Sequence, residues 1–206
     1  MLLKKSLVLI VLVLLADQLS KIYIKTHFQL EESVTVFSWF RFYFIENEGA
    51  AWGTKLSDLL PLTERRAKLI LTLFRVLAIS GIGYWLWGAL KKNSNKTLVF
   101  AVSLIFAGAV GNIIDSLFYG LIFDHSYGQI ATLFSDQPYD SLFYGKVVDM
   151  LYFPFIDATW PNWVPGFGGQ PFRFFAPVFN IADTAISTGV GILLVFNKKA
   201  FPQTEN

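Results

Sequence analysis

Apolar residues gather in four long blocks, at about 6–25, 67–90, 97–118 and 177–197. Crossing roughly 30 Å of hydrocarbon takes about 20 such residues in a helix, so the pattern predicts four transmembrane helices. Two longer segments, about 26–66 and 119–176, separate the first block from the second and the third from the fourth. Within 34–44 the β-branched and aromatic residues Val34, Val36, Phe37, Phe40, Phe42 and Phe44 predict strand structure. The segment 119–176 is rich in Phe, Tyr, Trp, Pro and Gly, residues of which the aromatics suit a membrane–water interface. No repeat or low-complexity tract divides residues 1–206, which read as a single domain.

The first block resembles a secretory signal, with Lys4 and Lys5 before an apolar core. No small-x-small cleavage site follows it and Asp17-Gln18 interrupts where cleavage would be prepared, so the expectation is a retained anchor. Lys4 and Lys5, then Lys91, Lys92 and Lys96, then Lys198 and Lys199 all flank the same side of a four-span chain. The positive-inside rule therefore predicts that both termini are cytoplasmic. Arg65, Arg66 and Lys68 dissent, but they close a loop of about 40 residues, where charge bias carries less weight.

Composition narrows the chemistry. Of the 206 residues 54% are apolar and 16% charged, and the formal net charge is +2. No concentrated basic face offers itself to nucleic acid. The chain has no cysteine, which excludes disulfides, cysteine-ligated zinc and a cysteine nucleophile. His27 and His125 sit in no metal-ligand pattern, so neither a metal nor another cofactor is expected.

Carboxylates inside apolar blocks are costly and are functional candidates by default. Asp17 lies near the outward end of the first block, Asn112 and Asp115 near that of the third, and Asn180 and Asp183 near that of the fourth. At 1.5 Å per residue, Asp183 is expected roughly 9 Å inside the fourth span. The i,i+3 spacing puts each Asn/Asp pair on one helix face. A single polar pocket in the outer half of the bilayer accounts for all three sites. More modest roles compete: Asp17 and Lys21 as an i,i+4 pair that cancels charge, Asn112 and Asn180 as interhelical hydrogen bonds, and Asp115 as an orienting group. Arg75, mid-span, is expected to face the bundle and pair with an acid or a carbonyl. Asp124, His125, Asp136, Asp140 and Asp157 read as solvated loop residues.

Two aspartates a few Å apart share a proton and titrate as a pair. One activates water while the protonated partner polarises a carbonyl and the leaving amine is protonated later. Asp183 is the best candidate for one member; spacing leaves Asp115 and Asp149 open for the other.

Five segments together resemble the lipoprotein signal peptidases, also called type II or prolipoprotein signal peptidases. Asp17-Gln18-Leu19-Ser20-Lys21 is similar to that family's D-Q-x-x-K motif, and Asn47-Glu48-Gly49-Ala50-Ala51-Trp52-Gly53 to its N-x-G-A-A-[FW]-G block. Gly108 to Asp115 follows G-A-x-G-N-x-x-D, Val147-Val148-Asp149 follows V-V-D, and Phe179 to Asp183 follows F-N-x-A-D. The resemblance implies a bacterial inner-membrane aspartic endopeptidase with Asp149 and Asp183 as its catalytic pair. Asn47, Gly49, Asn112, Asp115 and Asn180, with Asp17 and Lys21, would bind substrate or support the pair. The substrate implied is a prolipoprotein whose lipobox cysteine carries a diacylglyceryl thioether, cut on the amino side of that cysteine while its acyl chains stay in membrane lipid. The implied fold is an all-α membrane protein, a four-helix transmembrane bundle with a small extracytoplasmic β-rich cradle.

Two departures stand out. The family's third-helix motif continues with arginine, whereas this chain has Ser116, leaving Lys146 or Arg173 to take that role. The stretch between Asp115 and Asp149 is long, which predicts an added surface loop, with a lid as one role for it. The rival from another class is a proton- or ion-coupled transporter using buried aspartates. It requires polar residues through the inner halves of the spans, and those at Val8–Leu15 and Val190–Phe196 are almost wholly apolar.

Overall fold

In the computed structural model, residues 1–48, 62–154, 156–174 and 177–202 are described. Gly49 lies outside the described residues, as do the side chains of Asp157 and Arg173. Helix α1 (Leu2–His27) leads into a hairpin of β1 (Ser33–Phe37) and β2 (Phe40–Asn47), as the aromatic alternation at 34–44 predicts. Helix α2 (Glu64–Lys91) starts where the Thr63 hydroxyl accepts from the Arg66 amide at 3.4 Å. Helix α3 (Lys96–Ile114) starts where the Asn95 side chain accepts from the Thr97 amide at 2.8 Å. Both are side-chain caps that satisfy otherwise orphaned backbone donors.

α3 does not stop at the end of its regular hydrogen bonding. A π-helical turn (Asp115–Tyr119) and a short helix, α4 (Gly120–Ile122), carry it on. The helical run Lys96–Ile122 is thus 27 residues, longer than the block 97–118. π-turns often mark functional sites, and here the turn begins at Asp115.

Strand β3 (Val147–Tyr152) follows, then β4 (Ile156–Thr159), β5 (Pro171–Phe174) and β6 (Val178–Phe179). β1, β2, β3 and β6 form one antiparallel sheet in that order, and β4 pairs with β5. Helix α5 (Ile181–Val195) and a final turn, α6 (Asn197–Ala200), complete the chain.

The fourth apolar block differs from expectation at its start. Residues 178–179 are strand, and the 15-residue α5 begins only at Ile181. The cause is Asn180, an N-cap in a reciprocal capping box with Asp183. Asp183 therefore belongs to the first turn of α5, not to a point six residues within a helix. α5 is about 22 Å long, short of a full span, whereas α1, α2 and the Lys96–Ile122 run are each long and apolar enough to cross.

α3 is the central helix. Of its most apolar stretch 61% is buried, against 17% for α1 and 11% for α2. The remaining faces of α1 and α2 expose Leu7, Val8, Leu12, Phe74, Leu77 and Trp87, apolar surface suited to hydrocarbon. One core cluster joins Ile10, Leu86, Leu98 and Val102 at the end where the chain begins. A second joins Ile24, Phe44, Tyr119, Phe123, Val148 and Met150 beneath the sheet. Gly108 and Gly111 let α5 lie directly on α3. A Cβ on Gly108 would stand 2.2 Å from the Ala182 carbonyl oxygen, and one on Gly111 would stand 2.6 Å from an Asp17 carboxylate oxygen.

Candidate active site

Between the two clusters the polar residues of four elements meet. The centre is Lys21 on α1, fully buried, whose ammonium reaches Asp17 at 2.9 Å and Asp115 at 2.8 Å, both also fully buried. It donates as well to the Asn112 carbonyl oxygen at 2.9 Å. Asp17 and Lys21 are thus the expected i,i+4 pair, but Asp115 from the end of α3 makes it a triad. Asp115 also accepts from Gln18 at 2.9 Å and from the Val148 amide at 3.3 Å. Asp17 accepts from the Ala182 amide at 2.8 Å. These bonds fasten α1, α3, β3 and the start of α5 to one another.

Asp149 and Asp183 lie beyond this triad. Asp149, 2% exposed, accepts from Asn180 at 2.7 Å and from Asn47 at 3.2 Å. Asn47 can do this because it pairs with Val147 across β2 and β3, making Asp149 its diagonal neighbour on one face. Asp183 accepts from the Asn112 amide at 2.8 Å, and Asn180 in turn donates to the Asn112 carbonyl oxygen at 3.1 Å. The two asparagines therefore form an amide bridge with one carboxylate at each end. Asp183 is half-buried, so of the two it is nearer to water. Burial, and then the Asp183 carboxylate, push Asp149 up to about 7, against weaker pulls from Asn47, Lys21 and Asn180. Asp115, by contrast, holds Lys21, Gln18 and β3 in place.

Of the two residues expected to take the role of the missing arginine, Arg173 has its side chain outside the described residues. Lys146 is engaged elsewhere, with Glu46 at 3.3 Å and the Tyr127 hydroxyl at 3.3 Å. The side chain that reaches Ser116 is Arg75 of α2, which donates to its hydroxyl at 3.4 Å. Arg75 also lies within electrostatic reach of Asp183, Asp149 and Asp115. Its long stem lets a charge anchored mid-helix extend toward the polar level.

The stretch from 119 to 146 is fastened rather than loose. Its amides at Tyr139, Asp140, Phe143 and Gly145 donate to carbonyls of Phe123, Gly120, Leu117 and Ser116. Thr72 on α2 holds the Phe143 carbonyl at 3.0 Å. Below it, Lys25 pairs with Glu46 and donates to Ser126 at 2.8 Å. Burial alone would push Glu46 up, but Lys25, Ser126 and Lys146 outweigh it and hold the carboxyl below its usual range. Ser126 and Lys146 thus join the segment to Glu46 of the sheet. Asp140 pairs with Arg65 at 3.2 Å, and His27 and His125 are exposed.

Gln18 is the residue that sequence reasoning passed over. It donates to Asp17, Asp115 and the Gly111 carbonyl, and accepts from Tyr119. Its position beside Asp17 in an apolar block was the signal that could have found it.

Comparison with known proteins gives the family and the fold. The family model described as Signal peptidase (SPase) II matches residues 9–198. A lipoprotein signal peptidase of Porphyromonas gingivalis is 47% identical over 199 residues, covering 95% of this chain and 82% of that protein. One from Amoebophilus asiaticus is 35% identical, covering 92% and 75%. A bacterial membrane enzyme solved by the in meso method at 1.9 Å shares the fold with a TM-score of 0.60 at 22% identity, covering 96% of this chain and 95% of that one.

Proposed function

We propose that this chain, which belongs to the signal peptidase II family, is an aspartic endopeptidase with Asp149 and Asp183 as its catalytic pair. The protein is a multi-pass bacterial membrane protein that removes signal peptides from prolipoproteins. In the finer reading it cuts on the amino side of a cysteine that already carries a diacylglyceryl thioether. The acyl chains remain in lipid while the scissile bond enters beneath the β1-β2-β3-β6 sheet.

The observation that carries this reading is the pair of carboxylates joined through Asn112 and Asn180, with Asp149 buried and pushed up to about 7. In this reading the shared proton belongs to Asp149, whose burial raises its proton affinity, and Asp183, nearer to water, is the base. Asp183 takes a proton from water as its oxygen attacks the scissile carbonyl carbon, and Asp149 gives its proton to the carbonyl oxygen. The resulting gem-diol collapses as Asp183 returns its proton to the departing nitrogen. The C–N bond breaks, and one hydroxyl re-protonates Asp149. Asn47, Asn112 and Asn180 hold both carboxylates in position throughout. Asp17, Lys21 and Asp115 support the pair from behind, and Gly49 is carried as a substrate-side residue from its motif alone.

The architecture we favour is a four-helix transmembrane bundle with α5 as its fourth member and the sheet as an extracytoplasmic cradle. Both termini are cytoplasmic. The lysines at 4, 5, 91, 92, 96, 198 and 199 support that orientation. Because the chain lacks cysteine, single cysteines placed at Lys92 and Phe134 report it directly. Only the second is labelled from outside intact cells; labelling of the first instead reverses the topology.

The activity test uses purified protein in detergent and a diacylglyceryl-modified prolipoprotein, comparing wild type with Asp149→Asn and Asp183→Asn. Cleavage before the modified cysteine by wild type, lost in both folded variants, is expected. Near-normal turnover by either variant overturns the pair.

A further inference from the structure

Far from the carboxylates, a cavity of about 490 Å³ opens where α1 and α3 begin and α5 passes into α6. Lys96 at its edge is 19 residues from Asp115 along the same helix, about 28 Å. Nothing in the peptidase chemistry uses this space. Its volume falls in the range of about 300–1,000 Å³ typical of ligand sites.

Three side chains give it a definite charge. Lys5 comes from α1, Lys96 from α3 and Lys199 from α6, and no Asp or Glu is among the described residues that line it. All three lysines are exposed, so their ammonium groups can meet a ligand without prior desolvation. Leu9, Phe100 and Ile192 give the cavity an apolar wall. At its inner side the hydroxyls of Ser6 and Ser103 bond each other at 2.6 Å and are 4% and 0% exposed. They satisfy each other, and Ser103 also donates to the Val99 carbonyl at 2.6 Å, so the depth of the cavity makes no polar demand on an occupant.

We propose that this cavity binds one anionic glycerophospholipid of the surrounding leaflet, with its phosphate among Lys5, Lys96 and Lys199 and an acyl chain along Leu9, Phe100 and Ile192. The two halves of the site match the two halves of such a molecule. A soluble phosphate has no use for the apolar wall, and a zwitterionic lipid carries its own cation toward the three lysines. Fixed at the junction of α1, α3 and α6, the lipid would brace the end of the bundle where these helices meet.

The test is native mass spectrometry of the delipidated full-length protein, titrated with phosphatidylglycerol or phosphatidylcholine of the same chains. One phosphatidylglycerol is expected to be retained under activation that strips phosphatidylcholine. A lysine near a membrane surface contributes roughly fivefold to binding an anionic lipid. The variant Lys5→Gln/Lys96→Gln/Lys199→Gln should therefore bind phosphatidylglycerol about a hundredfold more weakly, with phosphatidylcholine unaffected. Leu9→Trp, which fills the apolar wall, should weaken both lipids. Peptidase turnover in lipid-free detergent should be unchanged in the triple variant, which also reports that it is folded. Equal binding of the two lipids by wild type, or full phosphatidylglycerol retention by the triple variant, overturns the proposal. Displacement of the lipid by glycerol phosphate at equal concentration overturns it too, in favour of a site for free phosphate.

Discussion

Replacing Lys21 with methionine distinguishes a scaffold from a substrate contact. Lys21 lies between two carboxylates, at 2.9 Å from Asp17 and 2.8 Å from Asp115, and all three side chains are fully buried. Paired, the triad carries a net charge of −1; without Lys21 it carries −2 in a region that water does not reach. Removing one partner of a buried ion pair costs about 3–5 kcal/mol. The lower end applies here, because Asp17 keeps the Ala182 amide at 2.8 Å and Asp115 keeps Gln18 at 2.9 Å. A loss of about 3 kcal/mol corresponds to a Tm lower by about 6–12 °C in a chain of this size. Thermal unfolding in detergent measures it. The double variant Lys21→Met/Asp115→Asn returns the buried charge to −1 and should recover much of the loss, whereas either change to a substrate contact would not be repaired by the other. A Tm for Lys21→Met within about 2 °C of wild type, together with lost turnover, would refute the scaffold and make Lys21 a substrate ligand.

Three further outcomes follow from the same geometry. The pH profile of kcat/KM should fall on the alkaline side near pH 7, where Asp149 gives up its proton. Asn47 stabilises the charged form of Asp149, so Asn47→Leu should raise its proton affinity and move that limb upward. A hydrogen bond to a charged group contributes about 1.5–3 kcal/mol, and at 3.2 Å the low end gives about one pH unit; a limb that stays in place or moves down contradicts the assignment. Arg75→Gln should likewise raise the alkaline limb while Arg75→Lys leaves it nearly fixed, because the charge near Asp183 and Asp149 is what acts. Equal profiles for the two variants would show that shape, not charge, is what matters. Gly108→Ala should lower the Tm by more than Gly111→Ala, since its Cβ meets backbone at 2.2 Å and forces α3 and α5 apart, an overpacking cost of about 1–3 kcal/mol. Circular dichroism melts in detergent compare them.

The helices were legible in the sequence because long apolar runs have few alternatives, and the Asn/Asp pairs because polar groups there are expensive. Hydropathy misled at the fourth block. Residues 177–197 are apolar almost throughout, yet Asn180 and Asp183 form a capping box, and that local signal outranks hydropathy in fixing where α5 starts. Spacing could not choose between Asp115 and Asp149. Their difference lies in contacts far apart in the chain: Asp149 meets Asn47 and Asn180, whereas Asp115 meets Lys21. The pairing of Asp149 with Asp183, which spacing left open, is what the family resemblance implies. The contact that Ser116 makes was hidden for the same reason. Arg75 and Ser116 are brought together by the packing of α2 on α3, and no local pattern announces it. Glu46, Lys25 and Ser126 likewise come from three segments, and their union ties the 119–146 stretch to the sheet.

On the proposed mechanism, the division of labour between lysine and asparagine follows from what an aspartic pair requires. A lysine in direct contact with Asp149 would favour its charged form and depress its proton affinity by about one to three pH units, leaving no proton to give at neutrality. Lys21 instead gives its contacts to Asp17, Asp115 and Asn112. Asn112 and Asn180 then carry the structure onward to Asp183 and Asp149 as neutral amides. Each amide has an acceptor oxygen and two N–H donors, enough to position a carboxylate without fixing its charge. The ionic triad thus ties the elements together one step behind the two carboxylates, and Asp149 keeps the high proton affinity that its burial creates. On this reasoning Asn180→Asp, which keeps size and shape but adds charge, should damage catalysis at pH 7 more than Asn180→Gln, which keeps the amide and displaces it. The same order in Tm would point to the lost cap instead, so the argument stands only if the activity gap exceeds what the stability gap explains.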